Sequence, residues 1–238
     1  MYERDGEWIM EGLDAHDPKR IKSTDELYEY VDTVGFLPLF RSHVDCFSLE
    51  ELTASAAWWS DTDEDPWLWR QVAAASGKVV YGKFFNGKAG FVSREWFPYF
   101  AAYRRDSYDF DTRYETGMAT RKSKLLMDAL EGQASVPSHR LKQLAGFTRG
   151  GERGFEGAIT SLMMQTYVVI CGFERKLNRD GQEYGWPVTD YCTAEARFGA
   201  ELVRSQYHLS REEALEKILQ QLRKLYPDAS EQALRKQL

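Results

Sequence analysis

Cysteine is scarce: Cys46, Cys171 and Cys192 form an odd set with no CxxC spacing, which argues against a disulfide framework and predicts reduced thiols in apolar surroundings. Histidine is scarce too. His16, His43, His139 and His208 are scattered, and none has a second His or Cys at metal-ligand spacing, so no metal site is expected. No uninterrupted apolar stretch approaches the roughly 18 residues of a membrane span. The opening MYERDGEWIMEG is charged and has no apolar signal core, so a cytoplasmic protein without a membrane partner is expected. Catalytic signatures are missing as well. There is no GxSxG, no P-loop, no dinucleotide fingerprint and no HxE with a distant CxxC, and acidic pairs such as Glu50/Glu51 and Asp109/Asp111 read as solvated faces. An excess of base is also lacking. A net charge of −6 argues against a chain that coats nucleic acid with its whole surface.

The chain has unevenly placed charge and many aromatic residues. Acid dominates from Asp45 to Asp65 and peaks in Ser60–Pro66, where Trp58, Trp59, Trp67 and Trp69 surround it. Base gathers later, first at Arg104, Arg105, Arg113, Arg121, Lys122 and Lys124, then at Arg149, Arg153, Arg175, Lys176 and Arg179. A polyanion would meet these two later regions. The tryptophans sit in the stretch that repels phosphate, so they are expected to pack inside the protein.

Start and stop signals outline the elements. Ser23-Thr-Asp-Glu26 is a capping box ahead of Leu27, Tyr30, Val31 and Val34, and Gly35 ends that helix. A second box at Ser48-Leu-Glu-Glu51 opens a short helix over 48–56, and Asp65-Pro66 opens a third that stops at Gly77. Asn86-Gly87 inside Lys78–Ser93 supplies the positive φ angles of a two-residue hairpin. Ser93-Arg-Glu-Trp starts a further helix with Trp96, Phe100 and Tyr103 along one side, followed by helices over 119–131 and 138–145. Phe155, Ile159, Leu162, Met163 and Thr166 then make an apolar helical stripe. Tyr167–Phe173 follows at once as a covered strand, and Tyr184–Tyr191 returns beside it with Pro187 at an edge or bulge. Ser210-Arg-Glu-Glu213 caps a helix ended by Pro227, and 230–238 is expected to add a last helical turn or two that packs or frays.

The order short helix, loop, helix, strand, turn, strand is that of a winged helix, and Thr24–Ser93 repeats a similar order. The expected fold is therefore α+β and helix-rich, built from tandem winged-helix units. An N-terminal extension occupies 1–22, a first unit 23–103, a helical connector 104–137, a second winged helix 138–207 and C-terminal helices 208–238.

In such a module the outer face of the second helix enters the major groove while the wing touches backbone or minor groove. Here that face carries the small residues Gly157, Thr160 and Ser161, Arg149 and Arg153 precede it, and Arg175, Lys176 and Arg179 lie on the wing. These residues are the expected phosphate contacts to double-stranded DNA, and phosphate contacts give affinity without sequence information. Tyr99 and Tyr103 beside Arg104 and Arg105 are the candidates for base stacking.

"DPWLWRQ", "VVYGKFFNGKAGFVSREWFP", "RGFEGAITSLMMQTYVV" and "GWPVTDY" together resemble the AlkZ-like family of bacterial DNA glycosylases, over most of Thr24–Tyr207. The resemblance implies tandem winged helices around a DNA-binding channel, excision of alkylated or crosslinked bases, and no metal or organic cofactor. It also implies a Gln, an apolar residue and a Gln or Asp that position the attacking water. The comparable segment here is Gly35–Phe40, which puts Pro38 and Phe40 where the polar residues stand, and neither can orient water. Fold and DNA binding carry over; the catalytic residues do not, unless they lie several residues away. Two other readings stay open: a glycosylase with a diverged active site, and an interaction scaffold that meets a protein partner through its acidic first half.

Overall fold

The computed structural model describes residues 2–178 and 180–238. A small antiparallel pair, β1 (Tyr2–Arg4) and β2 (Glu7–Ile9), precedes the body of the protein. The body begins with α1 (Thr24–Val34), whose Ser23 side chain accepts from the Glu26 amide, and which buries Leu27, Tyr28, Val31 and Val34. Gly35, at φ 95°, turns the chain into β3 (Phe36–Pro38). The short α2 (Leu49–Leu52) follows with Ser48 as its cap, then a single 3-10 turn at Ser55–Ala57. Next comes α3 (Pro66–Ser76), with Asp65 as N-cap, Pro66 in its first turn and Gly77 in the left-handed conformation at its end. Strands β4 (Val79–Phe85) and β5 (Lys88–Ser93) pair across the turn in which Asn86 and Gly87 take φ 49° and 76°. β3 adds to the far side of β5.

A connector of α4 (Phe97–Arg105) and α5 (Phe110–Glu115) leads to a second run: α6 (Arg121–Leu130), β6 (Val136–Pro137), α7 (Ser138–Leu144), α8 (Phe155–Met164), β7 (Val168–Leu177) and β8 (Glu183–Thr193). Here β6 pairs with β8 as β3 pairs with β5. Helix, strand, helix, helix, strand, strand thus occurs twice with the same pairing, an arrangement consistent with two winged-helix units. The two sets of three strands join at Tyr81↔Ile170 into one antiparallel sheet ordered β3-β5-β4-β7-β8-β6, so each strand's counterpart lies at the same distance from the centre. The expected α+β class holds.

α9 (Ala194–Phe198), α10 (Ala200–Arg204), α11 (Arg211–Leu225) and α12 (Glu231–Arg235) close the chain. α11 carries the complete Ser210/Glu213 capping box, buries Ala214, Ile218, Leu219 and Leu222, and packs against α4. The last turn packs rather than frays, because Leu234 and Gln237 are buried. One continuous core runs through both repeats. At its centre Phe100 meets Phe36 and Phe85 edge-on, at ring separations of 5.1 and 6.3 Å.

No glycine or proline divides α8 from β7, and the turn is made by Thr166 at φ 65°. The Thr166 and Tyr167 amides donate back to Met163 and Leu162, closing the helix. A threonine in this region is strained. The fully buried Arg105 guanidinium holds it, donating to both the Thr166 carbonyl and Oγ1. The same guanidinium pairs with Glu195 and reaches the Tyr207 hydroxyl at 3.2 Å.

Candidate nucleic-acid interface

α8 starts at Gly154, which takes φ 84° and offers no side chain to cap the first-turn amides. Those N–H groups and the helix dipole leave a positive pole at the surface, offset in part by Glu156 in the same turn. Basic groups gather there. Arg149 and Arg153 are exposed, and the Lys122 ammonium lies 3.8 Å from where a Cβ on Gly154 would stand. Nearby cations are neutralised: Arg121 by Glu152, and Lys142 by Glu156 at 3.0 Å. Lys122, Arg149 and Arg153 make no ion pair with a carboxylate among the described residues.

The outer face of α8 is open at its start and covered toward its end. Gly157 is exposed, and a Cβ there would meet nothing within 4 Å. Thr160 is half-buried and accepts from Lys83 Nζ at 3.3 Å, while the Gly87 amide reaches Met164 Sδ at 3.1 Å. The β4–β5 turn therefore seats on the far end of α8. Ser161 is half-buried and accepts from Gln165 Nε2 at 2.9 Å.

The β7–β8 hairpin has a tightly bonded tip, where Asn178 Oδ1 accepts the amides of Asp180 and Gln182. Arg175 is exposed and loosely faces Glu183 at 3.8 Å; Lys176 is half-buried. Arg179 lies outside the described residues. The hairpin also presents two aromatics on the strand expected only to return beside β7: Tyr184 is 52% exposed and Trp186 84%. The clue was local, since Gly185 and Pro187 on either side of Trp186 forbid a regular ladder there.

The stacking candidates are engaged elsewhere. Arg105 has no exposed surface on which a base could lie. Arg104 donates to the Phe84 carbonyl and, at 3.2 Å, to the Leu238 carbonyl, and burial pulls its pKa down to about 10. Tyr99 packs beside Trp96 at 5.3 Å, and Tyr103 lies under Arg211 at 5.6 Å. Both tyrosines are half-buried.

In the segment Gly35–Phe40, Pro38 is buried opposite Gly90, and Phe40 packs against Trp58 and Trp67 at 5.5 and 6.4 Å, so neither position presents a polar group. The acidic stretch folds around itself. The buried Asp65 carboxylate accepts the amides of Trp59, Asp61 and Trp67, Trp58 Nε1 donates to Thr53, and Trp69 Nε1 donates to the Asp63 carbonyl. Only Trp59 among these four tryptophans is exposed.

One carboxylate stands apart. Asp190 sits on β8 between Pro137 of β6 and Gly172 of β7, and its Oδ1 is shielded from solvent without a hydrogen-bond partner among the described residues. Burial and the neighbouring Glu174 push its pKa up to about 6. Gly172 makes room for it, since a Cβ there would come within 3.2 Å of Oδ2. Among the described residues no group of three or more His, Cys, Asp or Glu could hold a metal ion, and no helix is long and apolar enough to cross a membrane.

A family described as AlkZ related matches the chain over residues 21–238, leaving the β1–β2 pair outside the match. Comparison with curated proteins and with solved structures gave no match.

Proposed function

The chain belongs to the AlkZ-related family, and we propose that it binds duplex DNA, seating phosphate at the start of α8 and on the β7–β8 wing. The observation that carries this reading is the set of unneutralised cations, Lys122, Arg149 and Arg153, around a helix start with no side-chain cap. A helix N-terminus with free amides and flanking base favours a phosphate oxygen, and the bare Gly157 lets backbone approach closely. Arg175 and Lys176 extend the surface along the wing. Net acidity elsewhere restricts contact to this face and keeps the affinity sensitive to salt. The setting we propose is the cytoplasm; of the three cysteines expected in apolar surroundings, Cys192 is buried and Cys171 half-buried, whereas Cys46 is exposed.

Four or five phosphate contacts give a log–log salt slope of about −4. Reversing Arg149 and Arg153 together to Glu is expected to weaken duplex binding at least about tenfold at low salt and to flatten the slope by about 2. Anisotropy titrations over a salt series measure both. Unchanged affinity and slope in the double variant would remove this surface from consideration.

A second reading, base excision, is favoured by the family and by Asp190. Pro38 and Phe40 offer no polar group, whereas Asp190 lies beside β6, the counterpart of β3 in the second repeat. Above pH 6 its carboxylate is charged and suited to take a proton from water as that water attacks the sugar carbon and the base departs. Incubation with alkylated duplex should then yield abasic sites that Asp190→Asn no longer produces. Binding without abasic product leaves only the first reading.

A further inference from the structure

We propose that the β7–β8 wing carries a stacking wedge, Trp186, that engages DNA where base pairs are already unstacked, so that the protein prefers a duplex with a mismatch, bulge or abasic site over an intact one. The inference rests on the DNA-binding reading above and adds the kind of duplex the wing selects.

Trp186 is the most exposed large apolar side chain among the described residues, at 84%. Its exposure is built into the backbone rather than left over from fraying. Glu174 pairs with Val188 and Lys176 pairs with Tyr184, so Arg175 alone faces Gly185, Trp186 and Pro187 across a bulge. Gly185 takes φ 71°, a conformation that costs glycine little and most side chains more, and Pro187 gives no amide to a ladder. Bulges of this kind re-aim a side chain. Beyond the bulge the strands pair again, and Asn178 accepts from Asp180 and Gln182, so the wedge stands on a hydrogen-bonded hairpin.

Cations stand beside it, interspersed with the exposed Glu174 and with Glu183, which Arg175 faces at 3.8 Å. Arg175 faces the bulge and Lys176 pairs with Tyr184, itself 52% exposed, which places two cations and a second aromatic ring beside Trp186. Cation and aromatic side by side on an arm fit a backbone phosphate and the face of a neighbouring base. Apolar side chains that enter DNA from a wing or strand do so between base steps, at an unstacking penalty that is least where stacking is already broken. An indole against one base supplies enough for about a fivefold preference or more.

The test uses the full chain and two duplexes of one sequence, one intact and one with a single abasic site, with 2-aminopurine beside that site. Wild type should bind the abasic duplex about fivefold or more tightly and change the 2-aminopurine emission on binding. Trp186→Ala should bring the affinity ratio close to one and abolish the emission change, while affinity for intact duplex and its salt slope stay as in wild type. Trp186→Phe should retain most of the preference. The side chain is exposed, so both variants are expected to fold as wild type does. A ratio of one for wild type, or a preference that survives in Trp186→Ala, would overturn the proposal while leaving DNA binding in place. Failure to bind either duplex at low salt would overturn both readings. Self-association lost in Trp186→Ala, with the DNA preference intact, would assign the residue to an interface between copies and overturn the wedge.

Discussion

The two repeats share element order and strand pairing, yet they point their third helix and wing at different things. In the first, α3 is closed by a buried Asp65 carboxylate and Pro66, so its N-terminal amides are already satisfied within the acidic loop. Its wing is a two-residue turn on strands that carry the buried Phe84, Phe85 and Phe91, and the turn seats on α8. In the second repeat, α8 begins at a glycine without a side-chain cap, preceded by the exposed Arg149 and Arg153 and with Lys122 near Gly154, and its wing carries the exposed Tyr184 and Trp186. Arg70 shows the first repeat's inward turn: it lies over the Trp67 ring at 3.7 Å and the Phe173 ring at 4.5 Å, inside the contact between repeats. One topology thus turns inward as support in one copy and outward to solvent in the other. The residues that decide which are few: the cap of the third helix, the charge before it and the length of the hairpin.

The most damaging way to break the contrast is to release the corner between α8 and β7. Arg105→Ala leaves the Thr166 carbonyl without its side-chain donor in a covered site and leaves Glu195 only Arg204 at 3.5 Å, and is expected to cost about 3 kcal/mol of stability by urea unfolding. Arg105→Lys should recover only part of this, because a single ammonium cannot serve Thr166, Glu195 and Tyr207 together. A much smaller effect sharpens the comparison at the matched sheet positions Gly90 and Asp190, which face Pro38 and Pro137. The Asp190 carboxyl is raised from 3.8 to about 6, so the folded state holds its proton more tightly than the unfolded chain does. Its contribution to stability is therefore complete below about pH 4 and is lost as pH rises through 6. With its exposed half discounted, the difference is about 1 kcal/mol. It is read as wild type minus Asp190→Asn in melting temperature from pH 4 to 8, with no such trend expected between the two if Asp190 is not shielded.

Much of this architecture was legible in the sequence because local chemistry dictated it. Asp65-Pro66, Asn86-Gly87 and Ser210 with Glu213 each act within a few residues, and the structure places α3, the first hairpin and α11 where they indicated. The stripe from Phe155 to Met163 became α8 with the same residues buried. What escaped notice was short or set from a distance. β3 and β6 span three and two residues and exist because partner strands hold them. The helix expected over 48–56 shrank to α2 and a 3-10 turn, since the Thr53 hydroxyl bonds back to the Leu49 carbonyl and the chain leaves the helix there. For the site, the cations before α8 were visible as a cluster, but their neutralisation was not: which of them face a carboxylate depends on α6 and α7 folding beside them. Arg105 is the clearest case. Beside Tyr103 and Arg104 it suggested a platform for bases, and only the tertiary fold brings Thr166, Glu195 and Tyr207 around it.

That clamp also bears on how the protein meets a ligand. With the corner at Thr166 fastened from beneath by a group reaching across from α4, the helix and the arm beyond it keep one mutual angle before anything arrives. Under the proposed duplex binding, association would then demand little new ordering of these parts, and any mismatch in curvature would fall to the DNA.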